Sequence, residues 1–135
     1  MNQNFKKFLF ILLIIGANFI FSCDVEECPC SSSVIYGTWS GEAKQNDFEC
    51  YIRLFLNTNN SNLEGSGTLY LMHNGIKYEN QVTCGGSFVS NKIVFKINEI
   101  DSLFYEGLLN ARRDTIFGNL FFLGDKLSLN LQRLQ

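Results

Sequence analysis

The chain has 135 residues, 46% of them hydrophobic, with eleven Lys and Arg against thirteen Asp and Glu. That length holds one domain of ordinary size once the N-terminal stretch described next is set aside. The net charge of −2, with no basic stripe anywhere, argues against nucleic-acid binding.

In chain order the first element is Met1–Lys7, which carries Lys6 and Lys7 and no acid, followed by an apolar run from Phe8 to Phe21. As a helix, such a run extends about 21 Å at about 1.5 Å per residue, short of the roughly 20 residues that a bilayer core requires. A basic start, a short apolar run and then a small residue, here Ser22, read as a secretory signal.

Ile20-Phe21-Ser22-Cys23 resembles the lipobox of bacterial lipoproteins, with an aliphatic residue three before the cysteine and a small residue next to it. The resemblance implies removal of residues 1–22 and a diacylglycerol, usually with a further acyl chain, on Cys23. Two chains give stable anchoring where one is marginal. It places the protein in a bacterial cell envelope, at the outer membrane on its periplasmic or surface face. The acidic cluster Asp24-Val25-Glu26-Glu27 resembles the surface-export signals of some lipoproteins. Residues 23–33 have no apolar periodicity and end in Ser31-Ser32-Ser33, so they read as a tether between lipid and domain. Without residues 1–22, nine basic residues face thirteen acidic ones, a net charge of −4.

Cys28, Cys30, Cys50 and Cys84 remain besides Cys23. An even number in an exported chain points to disulfides. A zinc site needs two close pairs of Cys or His, and only Cys28 and Cys30 are close, so no metal is expected.

From Val34 the apolar residues alternate and turn residues recur about every ten positions, the pattern of an all-β sandwich or barrel. The expected strands are Tyr36–Ala43, Phe48–Asn57, Leu63–Met72, Ile76–Val89, Lys92–Asn98, Leu103–Asn110, Thr115–Leu123 and Lys126–Arg133. Connections this short require antiparallel neighbours. Eight such strands form an up-and-down meander that removes its edges by closing on itself. Alternation turns Phe48, Cys50, Ile52, Leu54 and Leu56 to one face, and Ile93, Phe95 and Ile97 likewise. On the last strand Leu127, Leu129 and Leu131 face inward, and so does Arg133, a charge that needs a partner there.

Gly37-Thr38-Trp39 on the first strand, with Arg133 at the end of the last, resembles the lipocalin and calycin signature. There a Gly-x-Trp packs under a basic residue and closes one end of an eight-stranded barrel over residues 34–135. The resemblance implies a barrel-closing pair of Trp39 and Arg133, a cation over an aromatic face worth about 0.5–2 kcal/mol. It also implies a small apolar ligand entering at the far end. On that arrangement Cys84 lies near the tether and Cys50 near the opposite end. Cys84 is then expected to pair with Cys28 or Cys30, with the remaining tether cysteine and Cys50 left open.

No catalytic constellation accompanies these elements, and neither an enzyme nor a cofactor is expected. His73, in His73-Asn74-Gly75, reads as a solvated turn residue, and Arg112-Arg113 as a solvated turn. Glu49, Glu79 and Glu106 read as outer-face residues, too scattered for paired acid–base work. Tyr51, Phe55, Tyr70, Phe117 and Phe121 point outward and mark a candidate partner surface. Two functions follow: a lipid-anchored barrel holding a small apolar ligand, or a packed barrel presenting its wall to another protein.

Overall fold

The computed structural model describes residues 34–135. The expected signal segment 1–22, the expected lipid attachment at Cys23, and the expected tether 23–33 with Cys28 and Cys30 all lie outside the described residues. Within them the fold is all-β. The strands are β1 (Gly37–Gln45), β2 (Phe48–Asn59), β3 (Asn62–His73), β4 (Ile76–Val89), β5 (Lys92–Ile97), β6 (Phe104–Leu109), β7 (Thr115–Phe122), β8 (Asp125–Ser128) and β9 (Leu131–Arg133). Each pairs antiparallel with its sequence neighbour from β1 to β8. β9 pairs with both β7 and β1, which closes the barrel. This is an eight-stranded up-and-down barrel with one strand more than the sequence pattern indicates.

The extra strand comes from a break in the expected strand Lys126–Arg133. β8 and β9 keep a single register on β7, with Leu120 opposite Leu127 and Ile116 opposite Leu131. Between them the Leu129 amide still donates to the Gly118 carbonyl at 2.9 Å. The Leu129 carbonyl instead accepts the Tyr105 hydroxyl at 2.9 Å, and the Gly118 amide turns to Asn130 Oδ1 at 3.3 Å. A side chain from β6 thus takes a bond that the ladder would otherwise use. Gly118 makes room for it: a Cβ there would lie 2.5 Å from the Tyr105 hydroxyl.

Turn chemistry explains the tight connections. Asn74-Gly75, Ser90-Asn91 and Leu123-Gly124 all have positive φ at both positions, the geometry that matches the twist of two-residue hairpins. Asn and Gly adopt it readily; Ser90 and Leu123 are the exceptions. The turns after β1, β3, β5 and β7 lie at one pole. The turns after β2, β4 and β6 lie at the other, where the chain enters at Val34 and ends beside β9.

Alternation fills the barrel. Inward residues of every strand from Trp39 to Leu131 form one buried cluster. At its centre Phe95 and Tyr105, cross-strand partners, stack at 5.0 Å and 24°. Tyr105 lies along the inner wall over the adjacent β7, where Gly118 leaves room for its ring, and its hydroxyl reaches the Leu129 carbonyl between β8 and β9. Bulky inward side chains line the interior throughout.

Candidate functional site

Three regions carry the side chains of interest: the two poles and the outer wall.

At the entry pole Trp39 on β1 stands directly opposite Arg133 on β9. The guanidinium carbon lies 4.7 Å from the centre of the indole. Trp39 Nε1 donates to the Ile35 carbonyl at 2.9 Å. Arg133 donates through Nη1 to the Tyr36 carbonyl at 3.3 Å and through Nη2 to the Val34 carbonyl. Residues 34–36 are therefore strapped across the base of the barrel, with the Ile35 side chain fully buried. The Leu134 amide adds a bond to the Thr38 carbonyl at 2.8 Å. Among the described residues Arg133 has no carboxylate partner, and its buried Nε makes no hydrogen bond. The charge is met by ring face and peptide carbonyls.

Cys84 lies on β4 opposite Gly65, two positions from the Trp39 row. Its sulfur packs on that glycine, where a Cβ would come within 2.8 Å. Cys50 sits toward the other pole. Both are buried free thiols, and burial pushes each up to about 12, with the Glu99 charge adding to the effect at Cys84. The expected partners of Cys84, Cys28 and Cys30, lie outside the described residues, and among those described Cys84 forms no disulfide. Cys84 alternates inward with Val82, so its sulfur faces the core rather than the incoming chain.

At the opposite pole His73 departs from its reading as a solvated turn residue. It ends β3, points inward after Leu69 and Leu71, and is only 6% exposed. The imidazole sits edge-on between Phe48 at 5.0 Å and Phe122 at 5.2 Å. Its Nε2 lies 2.6 Å from Asp125 Oδ2, at the start of β8. A shallow hollow of about 250 Å³ opens above it, lined by Asp47, Phe48, His73, Asn74, Asp125 and Lys126. No hydroxyl or thiol nucleophile lines it. Among the described residues no three His, Cys, Asp or Glu side chains are grouped to hold a metal.

The outer wall carries the aromatic side chains. Tyr51, Phe55, Tyr70, Phe117 and Phe121 all lie on it, as alternation predicts. Tyr51 and Tyr70 are cross-strand partners, and Phe55 meets Tyr36 edge-on at 5.0 Å. The most coherent patch runs over β5–β8. Phe104 and Phe121 stack at 4.7 Å and 8°. Lys96 stands beside Phe104, and Lys126 beside Phe121. In the parallel row Lys92, Leu108 and Phe117 are neighbours, with Leu108 58% and Phe117 56% exposed. Lys92 also pairs with Glu106 at 2.5 Å. Phe104 and Leu108 were not singled out in the sequence, although the inward set Leu103, Tyr105, Gly107 and Leu109 turns both outward.

No family model, no curated protein and no solved structure matches the chain.

Proposed function

We propose that this protein is an exported lipoprotein, anchored through lipid on Cys23, whose barrel is a rigid module that binds another protein through the outer wall of β6 and β7. The packed interior carries this reading. Phe95, Tyr105 and Trp39 are buried among the inward side chains, with Phe95 stacked on Tyr105, which favours recognition at the surface. Exposed large apolar side chains gathered in one patch mark contact sites more often than scattered ones do. Here stacked phenylalanines are flanked by lysines, which fits a partner presenting apolar side chains with acidic neighbours. The N-terminal pattern supports the anchor: a basic start, a short apolar run, Ser22 and Cys23.

The test has two arms. Mass analysis of the N-terminal peptide from the native host should show acyl chains on Cys23, and an unmodified Cys23 would remove the anchor from the proposal. A photo-cross-linking residue at position 117 should capture one defined protein in whole cells, with capture lost on Phe104→Ser. Native mass spectrometry before and after organic extraction separates the other function. A discrete extractable small molecule would establish ligand carriage in place of wall recognition.

A further inference from the structure

β4 runs past the end of its neighbour. It pairs with β3 from Ile76 opposite His73 to Ser87 opposite Asn62. Its ladder with β5 begins only at Cys84 opposite Ile97. Glu99 and Asn98 finish that seam at Thr83: the Thr83 amide donates to both Glu99 carboxylate oxygens at 2.9 Å, and its carbonyl accepts the Asn98 amide at 3.0 Å. Thr83 thus directs its backbone groups away from β3. Antiparallel ladders alternate, so Lys77, Glu79 and Gln81 direct theirs the same way, along an edge where no ladder is formed among the described residues. The side chains there are open too: Ile76 is 75% exposed, and Lys77, Glu79, Asn80 and Gln81 are exposed. An exposed edge of this kind is a template for another strand.

We propose that this edge pairs with the same edge of a second copy of the chain. A two-fold contact requires a self-complementary segment. Ile76-Lys77-Tyr78-Glu79-Asn80, run antiparallel to itself about Tyr78, is one. Lys77 then faces Glu79 of the second copy, and Glu79 faces its Lys77. These are also the residues whose amides and carbonyls point outward, so each such pair exchanges two backbone hydrogen bonds. The two Tyr78 residues stand opposite each other at the centre, each ring half-buried against its own core. Within one copy Lys77 and Glu79 already lie 2.9 Å apart on the outer face, so pairing extends that ion pair into a square of four alternating charges. The contact is small, and it forms a reversible dimer favoured by the high local concentration of chains confined to a surface. It does not depend on the wall formed by β6 and β7.

Sedimentation equilibrium of the full chain in density-matched detergent tests it. The wild type should show a concentration-dependent dimer. Lys77→Glu and Glu79→Lys, which set like charges opposite each other, should each weaken it by about tenfold or more. The double exchange Lys77→Glu with Glu79→Lys should restore it, and Phe117→Arg should leave it unchanged. Hydrogen exchange gives a reading that needs no variant: the amides of Lys77 and Glu79 should slow as protein concentration rises. A wild type that stays monomeric, a dimer indifferent to both single exchanges, or edge amides that stay fast where the dimer forms would overturn the proposal.

Discussion

The guanidinium of Arg133 lies 4.7 Å from the centre of the Trp39 ring while its terminal nitrogens hold the carbonyls of Val34 and Tyr36. One side chain from the end of the last strand therefore binds both the core tryptophan and the strap below it. Arg133→Ala should cost about 1–3 kcal/mol, the cation–aromatic contact plus two charge-assisted hydrogen bonds. Arg133→Lys should recover only part of this, since an ammonium does not span both carbonyls while lying on the ring. Urea denaturation of the two variants measures the difference.

Tyr105→Phe separates stacking from hydrogen bonding. The Phe95 contact survives, and the Leu129 carbonyl loses its partner. The expected loss is about 1–3 kcal/mol, the cost of an unsatisfied buried acceptor. Burial also holds the Tyr105 hydroxyl above its ordinary 10.0. A raised folded value means that stability is fully present below pH 10 and falls above it. In Tyr105→Phe this group's share of the alkaline loss should vanish, which denaturation at pH 9 and pH 11 would reveal.

The thiols of Cys50 and Cys84 should resist alkylation at neutral pH in the folded protein and react promptly in denaturant, because the thiolate is the reactive form and both groups are raised to about 12. Peptide mapping after iodoacetamide distinguishes them from Cys28 and Cys30. Both folded values lie above the ordinary 9.0, so their contribution to stability declines as pH rises from about 9 toward 12. A bridge from Cys84 to either tether cysteine in the oxidised protein would contradict the free buried thiol.

His73→Ala should destabilise the pole opposite Trp39 by about 1–3 kcal/mol. It removes a buried ring between Phe48 and Phe122 and unties β3 from the start of β8. Asp125→Asn, which keeps a hydrogen-bonding oxygen near Nε2, should cost less. Hydrogen exchange at Phe122 and Lys126 reports whether the β7–β8 turn loosens with it.

Much of the architecture is legible because alternation is a local signal. Leu127, Leu129, Leu131 and Arg133 share a face by simple parity, and the turns at Asn74-Gly75 and Ser90-Asn91 announce themselves by residue type. The same parity, carried one step further along Leu69 and Leu71, turns His73 inward. Its place in a His-Asn-Gly turn pointed the other way, and the ladder prevailed because Asn74 and Gly75 alone supply the turn. The same parity, alternating with Val82, turns the Cys84 sulfur inward, while Cys28 and Cys30, its expected partners, lie outside the described residues. The split between β8 and β9 has no local signal. It depends on a tyrosine 24 positions earlier in the chain reaching the Leu129 carbonyl, and only the closed barrel brings the two together. The early stop of β5 against β4 is likewise set by how far each strand finds a neighbour.

The strap at residues 34–36 also has a mechanical meaning. Tension on the chain ahead of Val34 reaches Arg133 and the Trp39–Ile35 hydrogen bond before it reaches the ladder between β1 and β2. The load is thus shared with the C-terminal strand, on the far side of the barrel seam. A tug from the N-terminal side pulls the two ends of the domain against one another, and the barrel resists as a ring rather than unzipping from its first strand.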